Sequence, residues 1–161
     1  MKVTQCLWFE NDMDAALRLY TSLIPGSSLD WGSALPADSP SGPADSVKIA
    51  GFTLGDQRYM AFQAAGRPGA FNHCVSIMIE CDTQAEIDRL WEALGDGGQY
   101  EQCGWLRDRW GLAWQITPKR LGELMRGPDK AAAKRVTDAM LQMVKLDIAA
   151  LEAAARAEAS G

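Results

Sequence analysis

The strongest constraint on this chain is a pattern that it spells twice: one strand, one helix, then three strands. Residues 4–9, Thr-Gln-Cys-Leu-Trp-Phe, have strand composition. Asn11 or Asp12 is placed to cap the following helix, whose apolar face is Ala16, Leu17, Leu19 and Tyr20. That helix stops at Ile24-Pro25-Gly26, because proline restricts the residue before it and glycine tolerates the turn. A strand is expected over 28–31. Two more, 47–54 and 58–63, are joined by a hairpin turn at Gly55-Asp56-Gln57. Between them and the second strand, GSALPADSPSGPADS (32–46) reads as a long exposed loop, either a mobile flap over a pocket or passive disorder.

The second reading of the pattern starts with a strand at 74–81. Asp82 or Thr83 caps a helix whose Ile87, Leu90, Trp91 and Leu94 face a sheet, and Gly95, Gly97 and Gly98 stop it. Strands follow at 100–102, 104–107 and 112–117. After Pro118 the sequence turns helical: a short piece over 120–125, a helix opened by Pro128, and a last one capped by Asp147, with the closing ARAEASG expected to fray. The expected organisation is therefore modules at 3–65 and 71–118 within a domain 1–118. A helical extension, 119–161, would pack on that domain or on a partner subunit.

Composition sets limits on partners. With 161 residues, 47% hydrophobic and 23% charged, the chain suffices for one well-buried core or two closely fused halves. A net charge of -5 without a long basic run argues against nucleic acid, since tracking phosphates needs clustered Lys and Arg. No signal-peptide core and no window of eighteen apolar residues occurs, so a cytoplasmic protein that does not enter a membrane is expected. Cys6, Cys74, Cys81 and Cys103 form no CxxC pair of the kind used for zinc or redox exchange. Three of the four are expected as buried small apolar side chains.

The opening QCLWFENDMDAALRLYTSLIPGS, the run GWLRDRWGLAWQITP and the tail DAMLQMVKLDIAALEAA closely resemble the PhnB-like branch of the vicinal oxygen chelate superfamily. The resemblance spans residues 3–155. That superfamily also holds glyoxalase I, extradiol dioxygenases and bleomycin- or fosfomycin-resistance proteins, and this branch carries the label 3-demethylubiquinone-9 3-methyltransferase. It implies an α+β fold of two βαβββ modules forming a cupped mixed sheet around a shared ligand-sized cup, and a homodimer.

Metal enzymes of the resembled fold bring four ligands together in the cup. Here those positions match Gln5, Ala61 or Gln63, Ser76 and Gln115, where histidines and glutamates would stand. Neutral amides and a hydroxyl are weak ligands that do not offset a divalent charge, so neither a metal nor another cofactor is expected. If Gln5 points into the cup, strand alternation adds Leu7 and Phe9 and sends Cys6 and Trp8 under the helix. The same reasoning adds Tyr59 and Gln63, then Ser76 and Met78, then Ala113 and Thr117 beside Gln115, with Trp114 and Ile116 facing the helical layer. Trp110, in a tight polar turn, caps the pocket or meets a neighbouring subunit. Such a mixed lining suits a small organic ligand.

Three residues are candidates for catalysis. Cys103 needs a nearby base or positive field to become a thiolate. His73 is the only imidazole. Asp108 is read foremost as hydrogen-bonding its own turn. The preferred reading is a metal-independent small-molecule binder. The alternative is an enzyme of the same superfamily: a lyase, an isomerase, a dioxygenase or the methyltransferase of the branch label. Against methyl transfer, no Gly-x-Gly follows the first strand to cradle the usual sulfonium donor.

Overall fold

The computed structural model describes residues 1–66 and 69–157. The chain divides into two compact units, Met1–Ala70 and Phe71–Gly161, and each carries the repeated plan. No helix among the described residues is long and apolar enough to cross a membrane.

In the first unit, β1 (Gln5–Phe9) leads to α1 (Met13–Leu23), then β2 (Ser28–Ala34), β3 (Lys48–Leu54) and β4 (Gln57–Gln63). The strands line up as β1-β4-β3-β2. The β1–β4 pairing is parallel and the other two are antiparallel, so the sheet is mixed. The helix does not begin on a side-chain cap of its own, as Asn11 or Asp12 was expected to supply. Asp12 takes a left-handed backbone at φ 55° and its side chain makes no cap. Instead the Met13 N–H donates to Gln63 Oε1 at 3.0 Å, so the last strand satisfies the free end of the helix. Met13, Ala16, Leu17 and Tyr20 of α1 are buried, together with Phe9, Phe52 and Ala61 from the sheet.

Proline and glycine between 35 and 47 do not make a structureless run. β2 extends three residues past the expected end at Trp31. The Leu35 N–H donates to Val47 carbonyl (2.8 Å) and the Asp45 N–H to Leu35 carbonyl (2.7 Å), closing the base of the loop. Val47 is buried beneath it.

In the second unit, β5 (Ser76–Cys81), α2 (Gln84–Gly95), β6 (Gln99–Tyr100), β7 (Trp105–Arg107) and β8 (Ala113–Pro118) form the sheet β5-β8-β7-β6, again with one parallel pairing, β5–β8. Thr83 opens α2 with a reciprocal capping box: its hydroxyl accepts from the Glu86 N–H, while the Glu86 carboxylate accepts from the Thr83 N–H. Three helices follow, α3 (Lys119–Arg126), α4 (Lys130–Met140) and α5 (Ile148–Arg156). Pro128 stands outside α4, because Asp129 caps it by accepting from Ala131 and Ala132. Asp147 caps α5 as its sequence position implies. Of the closing ARAEASG, Ala155 and Arg156 still belong to α5, and residues 158–161 lie outside the described residues.

These helices build a small core of Leu121, Val136, Leu146 and Leu151 and dock on their own unit. The N–H groups of Cys103 and Gly104 donate to the carbonyls of Met143 and Val144, each at 2.8 Å. The Gln84 side chain reaches Leu146 carbonyl and the Ile148 N–H, and Lys145 pairs with Asp88.

Candidate functional site

Each sheet has one face under its helix and one face turned away from it. In the first unit Gln63 fixes which is which, because its side chain holds the start of α1. Pairing then puts Leu7, Phe9, Tyr59 and Ala61 on the helix side with Gln63, along with Phe52, whose ring stacks on Tyr59 at 5.2 Å. Leu7 and Phe9 are buried there. Cys6 and Trp8 lie on the far face, with Met60 and Phe62 as their partners. This reverses the alternation expected for the opening strand. Both sets are apolar, so the pattern alone carries no direction, and a one-residue shift exchanges the faces.

The second unit follows the expected direction. Ile77, Leu106, Trp114 and Ile116 are buried on the helix side, while Ser76, Met78 and Gln115 share the far face with Trp105 and Arg107. Gln115 Nε2 donates to Ser76 Oγ at 2.9 Å.

On the far face of the first sheet lies a hollow of about 870 Å3, bordered by Lys2, Thr4, Asp30, Trp31, Thr53 and Arg58, with Gly51 at its floor. Gly51 is required by close approach: a Cβ there would lie 2.2 Å from Trp31 Nε1, so the indole rests directly on β3. Trp31 is 48% exposed. Asp30 accepts from Ser28 Oγ (2.6 Å) and Thr53 Oγ1 (2.9 Å), and those two bonds hold its carboxyl below the usual range, with the Arg58 charge adding to them. Of the residues expected to bind ligand, Tyr59 also borders this hollow, but burial, more than the nearby Asp56, pushes its phenol up and its ring is occupied with Phe52. Gln5 is exposed at the start of β1. The hollow thus draws on β2 and on Lys2, which the sequence did not single out. The one signal was Gly51 in mid-strand, a mark of close backbone approach.

In the second unit the far face carries a charged network. His73 Nε2 lies 2.6 Å from Glu101 Oε2, Arg107 Nε donates to Glu101 Oε1 at 2.8 Å, and Arg107 also donates to Gln99 Oε1. A carboxylate only accepts, so Nε2 bears the proton and Nδ1 is the acceptor of the neutral ring. Burial pushes the Glu101 carboxyl up, but the bonds from His73 and Arg107, with their charges, outweigh it and hold the group below its ordinary 4.5. A depressed folded value means stability fully present above about 4.5 and lost as pH falls through the lower folded value. Glu101→Gln removes that term. Its urea midpoint is therefore expected to fall less than that of the wild type between about pH 5 and about pH 3; parallel curves would show that the network contributes nothing.

The remaining candidates occupy structural places. Asp108, 3% exposed, accepts from the N–H groups of Trp110 (2.9 Å) and Leu112 (3.0 Å) through Oδ1, and from Trp114 Nε1 (2.9 Å) through Oδ2. Trp110 sits on that corner, 5.7 Å below the Arg109 guanidinium. Cys103 is half-buried in a left-handed turn beside the docked tail. One cysteine is buried, not three: Cys81, whose thiol is pushed to about 11 by burial first and by Glu86 next. Cys6 is exposed because it points to the far face, and Cys74 because it lies in the loop before β5.

Neither cofactor implied by the resemblance fits these residues. At the chelating positions, Gln63 is committed to α1, Ala61 is buried, and Ser76 and Gln115 are bonded to each other. Moving the first unit's register by one residue brings in Cys6 and Met60, which add no carboxylate or imidazole. Among the described residues no group of three or more His, Cys, Asp or Glu is placed to hold a metal ion. For a methyl donor, β1 runs through Glu10 and Asn11 into Asp12 and α1 without a glycine to cradle it.

The family model described as 3-demethylubiquinone-9 3-methyltransferase matches residues 1–117, ending where α3 is about to begin. Among solved structures, the chain is similar to a PhnB protein from Bacillus cereus whose description carries the same methyltransferase name. The two are 28% identical, with 73% of this chain and 99% of that one covered and a TM-score of 0.64. A Pseudomonas aeruginosa protein shares the fold at 24% identity, covering 73% of this chain and 97% of its own, with a TM-score of 0.54. No curated protein matches the sequence.

Proposed function

The chain belongs to the PhnB-like family described as 3-demethylubiquinone-9 3-methyltransferase, and from that premise we propose that it binds a small organic molecule in the hollow of its first sheet. What carries this reading is the hollow itself: an indole fixed on Gly51, with hydroxyl, carboxylate and cationic groups around one concavity of ligand size. Binding runs through stacking and hydrogen bonds and not through a chelated ion, since the donor set at the chelating positions is amide, hydroxyl and apolar. The same reading has the protein working in the cytoplasm as a homodimer, as the resembled fold does when its modules pair between chains. A second reading, an enzyme of the same superfamily, is favoured by one observation: Glu101 orients His73 so that Nδ1 is left to take a proton.

Protein-observed NMR with a diverse fragment set, on metal-free and on zinc- or nickel-treated protein, tests the proposal. The expected result is fragment-dependent shifts at the Trp31 indole N–H and the Gly51 amide, the same with and without metal. Shifts that appear only after metal loading would overturn the metal-independent reading. No fragment reaching these two signals would overturn the hollow as the site.

A further inference from the structure

The lining of the hollow narrows what it can take, an inference that rests on the binding reading above. Trp31 offers one face of its ring. The other is pressed against β3, where a side chain at Gly51 would collide with it. A ring fixed on one side and open on the other favours a flat partner, because stacked contact needs no further ordering of the indole.

Charge selects the second feature. Neither the Lys2 ammonium nor the Arg58 guanidinium makes a salt bridge or side-chain hydrogen bond to another described residue. Asp30, the one carboxylate among the named lining residues, already accepts through both oxygens, from Ser28 and Thr53. Two cations against one committed carboxylate leave the hollow one positive charge in excess. A guanidinium fork and an ammonium are the groups that pair with a carboxylate or phosphate.

We propose that the hollow selects planar aromatic anions, with the ring stacked on Trp31 and the acidic group held between Arg58 and Lys2. Free carboxylates and phosphate monoesters share this chemistry, and the probes below separate them.

Calorimetric titration of the full chain with four probes reads it directly: 2-naphthoate, 2-naphthyl phosphate, the neutral 2-naphthamide, and a saturated decalin carboxylate. The naphthoate or the naphthyl phosphate, whichever is preferred, is expected to bind about tenfold or more above both the amide and the decalin acid. Arg58→Ala is expected to remove about tenfold of that affinity and to leave the amide's unchanged, and Trp31→Phe is expected to retain most of the affinity that Trp31→Ala loses. Arg58 is exposed, so its variant tests charge without disturbing the fold. Amide or decalin acid binding as well as the naphthoate, at the Trp31 and Gly51 signals, would overturn this selectivity and leave the binding reading standing. No binding by any of the four would overturn the selectivity, while the diverse fragment set decides the binding reading separately.

Discussion

Asp108→Ala is expected to destabilise the protein by about 3–5 kcal/mol and to lower its melting temperature by roughly 10 °C. The carboxylate accepts from two backbone N–H groups and one indole N–H, and Asp108 is itself buried at that corner. Alanine takes this acceptor away from all three donors. A buried donor deprived of its acceptor costs about 1–3 kcal/mol, reduced where the corner relaxes enough to offer water or another acceptor. Asp108→Asn should fall between the two. Its oxygen can still serve the Trp110 and Leu112 N–H groups, but its amide then faces the Trp114 indole, donor against donor. Thermal unfolding of the three proteins checks the ranking. An alanine variant within about 1 kcal/mol of the wild type would mean that the corner does not depend on this carboxylate.

Gly104→Ala should be the next most damaging change, at about 2–4 kcal/mol, and should act through the tail. Gly104 has φ 81°, a left-handed backbone that alanine adopts with strain. An added Cβ would also sit 2.7 Å from the Ile116 carbonyl oxygen and 2.9 Å from Leu146 Cδ1. The first neighbour is backbone of β8 and cannot move aside. The second is a member of the core that α3, α4 and α5 share, so any relief pushes Leu146 out of it. Amide exchange at residues 103 and 104, whose N–H groups hold Met143 and Val144, should accelerate ahead of the sheet's own amides. Unchanged exchange there together with an unchanged melting temperature would separate the tail from this turn.

Much of the plan was readable because local signals agreed with one another. Asp82 or Thr83 marked the start of α2, which Thr83 caps, and Asp147 marked that of α5. In β8, Gln115 between Trp114 and Ile116 gave alternation a direction, so its two faces came out as expected. In β1, by contrast, Cys6-Leu7-Trp8-Phe9 is apolar on both faces. The register was drawn from Gln5 by resemblance and landed one residue away. The hollow was less legible still. Its parts are a strand end, a residue ahead of β1 and a missing side chain at position 51, and only pairing β2 with β3 brings Trp31 onto Gly51. Sequence spacing does not encode that meeting, because Trp31 and Gly51 belong to strands separated by the 35–47 loop.

The two helices that lie on the sheets begin in different ways, and this bears on the order in which the chain assembles. α2 carries its start signal within four residues, so its first turn can close as soon as that stretch exists. For α1 the matching acceptor is Gln63, 50 positions further along, on the strand that also pairs in parallel with β1. Its first N–H finds this partner only once both hairpin strands are in place, which makes the helix start a late, long-range contact. Two copies of one architecture thus differ in contact order at the same point: one helix can nucleate by itself, and the other is completed by the sheet it covers.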